Sequence, residues 1–79
     1  MGAALAIRDD LRPEALRRQA RREPNRRAAP RMLAIANALD GLSRADAARL
    51  AGMERQALRD AVVRYNAEGL SGLYDRPCA

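Results

Sequence analysis

Apolar residues recur every three or four positions over much of this chain, with polar residues between them. Met32, Ile35 and Leu39 are spaced this way, and so are Leu58, Ala61, Val62 and Tyr65. That period belongs to an amphipathic helix and not to a strand, whose pattern would alternate. Leu16 and Ala20 carry a weaker version of it. Four helices are predicted, near Pro13–Arg22, Pro30–Leu39, Arg44–Ala51 and Glu54–Ala67.

The boundaries have chemical reasons. Pro13 suits a first helical position, where its missing N–H would be unsatisfied anyway. Glu23-Pro24-Asn25 breaks the first helix. Pro30 disfavours helical angles at Ala29, so the second helix either begins cleanly at Pro30 or begins at Asn25 and is distorted. Asp40-Gly41 ends it. Ser43 is placed to cap the third helix, with Asp46 in the reciprocal position of a capping box. Gly52 ends the third helix and Gly69 the fourth. The stretch from Leu70 to Ala79 holds Gly72 and Pro77 and is expected to be extended. The fold class is therefore all-α: a helix-turn-helix bundle of about four helices behind a basic N-terminal arm. Its parts are an arm and short helix over 1–25, a helix-turn-helix over 26–69 and a connector over 70–79.

Composition narrows the chemistry. A chain of 79 residues has room for one small domain. Its apolar share of 48% is rich in alanine and contains no Phe or Trp. Alanine favours helices that pack closely but builds no deep core. There is no histidine, and Cys78 is the only cysteine, so neither an internal disulfide nor a zinc cluster can form. The scattered carboxylates form no acid-base pair, and no enzyme activity, cofactor, metal or small-molecule substrate is expected. No apolar run approaches a membrane span, which makes the cytoplasm, in association with the nucleoid, the expected location.

Charge points to a partner. The net charge is +5, and all 15 basic residues are arginine. From Arg8 to Arg31 nine arginines face only Asp9, Asp10, Glu14 and Glu23. Such an excess fits either a highly solvated face or a polyanionic partner, nucleic acid first and a membrane surface second.

Ser43 to Tyr65 fits a helix-turn-helix slot by slot. Ala48 is the small residue where two helices cross, Gly52 the turn residue that accepts a positive φ, and Met53 the apolar plug behind it. Ala47 and Ala51 complete the buried side of the first helix. On the second, Leu58, Ala61, Val62 and Tyr65 are expected to pack on Ile35, Leu39, Ala48 and Leu50. The alternative is a rotated helix that buries Val63. Such a hairpin can also be a plain bundle corner. The outward residues favour DNA: Arg55, Gln56 and Arg59 lie where a recognition helix reads base edges. The other reading of that face is solvated, with Glu54, Arg55, Arg59 and Asp60 pairing at helical spacing. Arg26, Arg27, Arg31, Ser43, Arg44, Arg49 and Arg64 are the candidate phosphate contacts.

Three stretches carry a family resemblance. They are Gly41-Leu42-Ser43-Arg44-Ala45-Asp46-Ala47-Ala48-Arg49-Leu50-Ala51-Gly52-Met53, then Arg55-Gln56-Ala57-Leu58-Arg59-Asp60, then Arg64-Tyr65-Asn66-Ala67-Glu68-Gly69-Leu70-Ser71-Gly72-Leu73. Together with Asp75-Arg76-Pro77, this resembles the opening of bacterial mariner-like insertion-sequence transposases, over roughly Arg26 to Pro77. The resemblance implies a homeodomain-like helix-turn-helix that binds the terminal inverted repeats of a mobile element, with Arg55, Gln56 and Arg59 on the recognition helix. Two departures stand out. The family usually has tryptophan where this chain has Ala61, and often histidine where it has Val63. Alanine there thins the core, so either a homodimer partner or residues such as Leu5, Ile7, Leu70 and Leu73 are expected to cover the gap. The family's metal-binding carboxylates lie beyond Pro77, so the chain is expected to lack the catalytic part. The expected function is sequence-specific binding of double-stranded DNA. The alternatives are a helical protein-interaction or dimerisation module and a stand-alone DNA-binding regulator.

Overall fold

Four helices and one short 3-10 helix make up the computed structural model, which describes residues 6–74. They are α1 (Pro13–Arg22), α2 (Ala28–Leu39), α3 (Arg44–Leu50) and α4 (Arg55–Glu68), followed by the 3-10 helix Gly69–Leu73. Among the described residues there is no strand. No described helix is long and apolar enough to cross a membrane. Leu5, Asp75, Arg76, Pro77 and Cys78 lie outside the described residues.

Helix α2 is the centre. Ala28, Met32, Ala34, Ile35, Ala36 and Ala38 are all buried, so it is covered on more sides than its spaced large residues suggest. Alanines at close-packed positions let neighbouring backbones approach it. Helix α1 lies against it through Leu16 and Ala20, while α3 and α4 pack on it from elsewhere. Leu58, Ala61, Val62 and Tyr65 of α4 are buried, and Val63 is exposed, so the helix has the first of the two expected rotations.

Local chemistry fixes the boundaries. Helix α2 starts at Ala28, between the two expected positions. The Asn25 side-chain oxygen accepts the N–H groups of Arg27 at 2.9 Å and Ala28 at 3.0 Å. Pro30 then falls in the first turn, where its missing donor removes no helical bond. Helices α2 and α3 end alike. Gly41 N–H donates to Ala38 and Leu42 N–H to Asn37; Gly52 N–H donates to Arg49 and Met53 N–H to Ala48. Both sets are the paired bonds of a Schellman motif.

Three sequence expectations need correction. Leu50 is 65% exposed and lies outside the core. It stands two positions after the buried Ala48, on the opposite side of the helix. Ala51 is half-buried, not buried. The start of the connector is not extended: Gly69–Leu73 coils into a 3-10 helix, and Leu73 is 0% exposed. Leu73 thus joins the core that Ala61 leaves thin, with Ile7 and Leu70 packed at its edge.

Candidate nucleic-acid interface

The candidate interface is built on α3, the turn Ala51 to Glu54, and α4. The Ser43 hydroxyl accepts the Asp46 N–H at 3.1 Å and so caps α3. The Asp46 carboxylate pairs with Arg49 at 2.7 Å. That bond from Arg49 holds the Asp46 carboxyl below its ordinary range. Gly52 has φ +77°, which makes the reversal possible. Ala47 and Ala48 are buried at the crossing, and Met53 packs at the core's edge behind the turn.

With Leu58 and Tyr65 turned inward, the outward face of α4 carries Arg55, Gln56, Arg59 and Asp60, all exposed. The Gln56 amide reaches Asp60 at 3.4 Å, a weak contact that leaves its hydrogen-bonding capacity largely free. Glu54 precedes α4 with extended angles, and no side chain caps the helix. The structure brings Arg55, Gln56 and Arg59 to one surface. Ala57 and Val63 share it, both exposed, and neither was among the sequence candidates. For Val63 the signal was available: from Arg55 and Arg59 the helical period runs on to it.

The candidate phosphate contacts fall into different settings. Arg26 and Arg27 are exposed at the α1–α2 corner. Arg44 is half-buried, and Arg49 is exposed while paired with Asp46. Arg31 donates to the Leu73 carbonyl at 2.8 Å, and Arg64 donates to the Tyr74 carbonyl at 2.6 Å. The Tyr74 hydroxyl donates to the Glu23 carboxylate. Sequence periodicity missed this set of anchors because each bond joins a side chain to a backbone carbonyl or a residue far away in the chain.

The arm is placed as well. Asn66 donates to the Ala6 carbonyl at 2.7 Å and accepts the Arg8 N–H at 2.9 Å. The Arg8 guanidinium sits over the Tyr65 ring and pairs with Asp10 at 2.8 Å. Among the described residues no group of three or more His, Cys, Asp or Glu gathers to hold a metal.

A capped short helix, a glycine turn and a second helix with a polar outward face define a helix-turn-helix domain, the architecture by which many proteins enter a DNA groove. Residues 31–77 match the family described as "Winged helix-turn helix". That is more than half of the chain, and the chain belongs to this family. It is also similar to a protein of Sinorhizobium fredii described as "Uncharacterized protein y4pG/y4sC", with 45% identity over 73 residues. The match takes in 92% of this chain and 38% of that relative's length. No solved structure matches.

Proposed function

We propose that this chain binds double-stranded DNA sequence-specifically, with α4 in the major groove. Arg55, Gln56 and Arg59 read base edges there, and Gly52 sets the angle between the helices. The observation that carries this reading is the outward, exposed placement of all three readers on a helix whose other side is locked into the core. Arginine pairs with guanine and glutamine with adenine in two-point geometry. Arg26, Arg27, Ser43, Arg44 and Arg49 supply phosphate contacts around that groove. Arg31 and Arg64 act less directly, by holding the segment after α4. The resemblance to mariner-like insertion-sequence transposases supports a finer reading: the domain recognises terminal inverted repeats, and its own part is binding and not catalysis.

A titration against duplexes carrying the end sequences of insertion elements, beside scrambled duplexes, tests this. Arg55→Ala costs about 1–3 kcal/mol on the true site and little on scrambled DNA. Arg27→Ala weakens binding to both alike and flattens the salt dependence by about one counterion. Equal loss on both duplexes for Arg55→Ala removes it from the reading surface. A second reading, a helical interaction module, is favoured by Leu50 and Val63, which stand 65% and 49% exposed. It prevails if the chain ignores DNA even at low salt.

A further inference from the structure

The outward side of α1 is the most basic surface left unused by the reading above. Arg18, Arg21 and Arg22 are exposed at spacings of three and four, so they form one stripe opposite the buried Leu16 and Ala20. Among the described residues no hydrogen bond or ion pair engages any of the three. Five arginines elsewhere are occupied: Arg8 by Asp10, Arg17 by Asp40, Arg49 by Asp46, and Arg31 and Arg64 by backbone carbonyls. The stripe's one carboxylate is Glu14, at its far end. Glu23, at its near end, is held by Tyr74 and by the Asn25 N–H. α1 also lies outside residues 31–77, the part that matches the helix-turn-helix family.

Position separates this stripe from the reading surface. Helix α1 packs on α2 and not on α3 or α4. Its end is tied through Glu23 and Tyr74 to Arg64, which stands nine residues along α4 from Arg55. At about 1.5 Å per residue, that is roughly 13 Å from the base-reading end before the distance across α2 is added.

We propose that Arg18, Arg21 and Arg22 form a second DNA-backbone site, which grips a duplex segment other than the one read by α4. Guanidinium groups suit phosphate oxygens, which they bind through two parallel bonds. Residues three and four apart share one side of a helix, so all three guanidinium groups can face the same duplex. A membrane is the poorer match, since the stripe has no apolar side chain to insert. Single strands are poorer too, because stacking needs exposed aromatic rings; Tyr65 is buried and Tyr74 is engaged with Glu23.

The test uses a biotinylated duplex on beads and a fluorescent duplex in solution, at low salt. The wild-type chain is expected to carry the fluorescent duplex onto the beads. The Arg18→Gln, Arg21→Gln, Arg22→Gln triple variant keeps Leu16, Ala20 and good helix formers, so its circular dichroism and Tm stay unchanged. It is expected to bind a single duplex as before and to lose the capture at least about tenfold, with the salt slope of capture reduced by about three counterions. Equal capture by the triple variant overturns the proposal, since bridging then arises through a dimer. A wild-type chain that binds one duplex and never captures a second also overturns it while leaving the α4 reading intact. A chain that binds no duplex removes both.

Discussion

Asn66 accepts the Arg8 backbone N–H at 2.9 Å, a bond between residues 58 positions apart. The same amide donates to the Ala6 carbonyl at 2.7 Å, so one side chain holds the arm at two points. The arm therefore docks at the C-terminal end of α4, far from Arg55. Asn66→Ala removes both bonds at an exposed site, for a cost of about 1 kcal/mol. Amide hydrogen exchange checks it: the Arg8 N–H is expected to lose its protection while the Leu58 and Val62 amides keep theirs. Unchanged protection at Arg8 means that its guanidinium contacts alone hold the arm.

Two glycines resist substitution for opposite reasons. Gly52 has open space around it but φ +77°, so Gly52→Ala introduces strain of about 1–2 kcal/mol without a clash. Gly72 has an ordinary φ but no space, since a methyl group there would collide with the Arg64 backbone carbonyl. Gly72→Ala is expected to cost about 1–3 kcal/mol by overpacking. Gly52→Asn separates the two, because asparagine tolerates the left-handed region. Thermal unfolding is expected to show partial recovery for Gly52→Asn relative to Gly52→Ala, and none for Gly72→Asn relative to Gly72→Ala.

Much of this fold was legible in the sequence because its signals are local. Ser43, Gly41 and Gly52 mark helix ends through bonds that span only a few residues. The rotation of α4 followed from the spacing of Leu58, Ala61, Val62 and Tyr65, and Arg55, Gln56 and Arg59 fell outward with it. The segment after α4 was misread for the converse reason. Gly72 and Pro77 suggested extended chain, whereas Leu73 is drawn into the core and Arg31, Arg64 and Glu23 hold its backbone and its neighbour. Leu50 misled as well. Its large apolar side chain reads as core, but two positions after the buried Ala48 the helix turns it to the outward side.

The two tyrosines respond differently to losing a hydroxyl. Tyr74 donates to Glu23, and this bond is the chief reason that the Glu23 carboxyl lies below its ordinary 4.5, with the Asn25 N–H next. A lowered carboxyl value stabilises the fold above its unfolded value, and that contribution is lost as pH falls through the folded one. The same bond raises the Tyr74 hydroxyl above 10.0, a contribution present below that value and lost as pH rises through the folded one. Tyr74→Phe is therefore expected to lower stability near neutrality and to reduce its fall as pH drops below 4.5. Part of the fall remains, because Asp10 and Asp46 are also lowered by their arginines. Tyr65 has a buried hydroxyl without a partner in the described structure. Tyr65→Phe relieves that desolvation and is expected to leave stability equal or higher. Urea denaturation across pH measures both; a flat loss for Tyr74→Phe at every pH argues that its ring matters and the bond does not.

The arginines on α2 and α4 divide by what they touch, and two measurements together tell them apart. Arg31 and Arg64 donate to the carbonyls of Leu73 and Tyr74, whose segment closes the core over Ala61. Hydrogen bonds from a charged donor contribute about 1.5–3 kcal/mol each. Arg31→Ala is thus expected to lower Tm by roughly 6 °C or more, given about 4–8 °C per kcal/mol for a domain of this size. Its effect on DNA should follow from that loss of structure: binding weakens as the domain unfolds, and returns at lower temperature. Arg55→Ala and Arg59→Ala remove exposed side chains and are expected to shift Tm by no more than about 2–4 °C, because a surface position contributes about half a kcal/mol at most. Their effect on the recognised sequence persists at every temperature where the fold is intact. Calorimetry and fluorescence titration on the same four proteins separate these outcomes. If Arg31→Ala leaves Tm unchanged and weakens binding at all temperatures, Arg31 contacts phosphate after all, and Leu73 burial with the Arg64 and Glu23 anchors holds the segment without it.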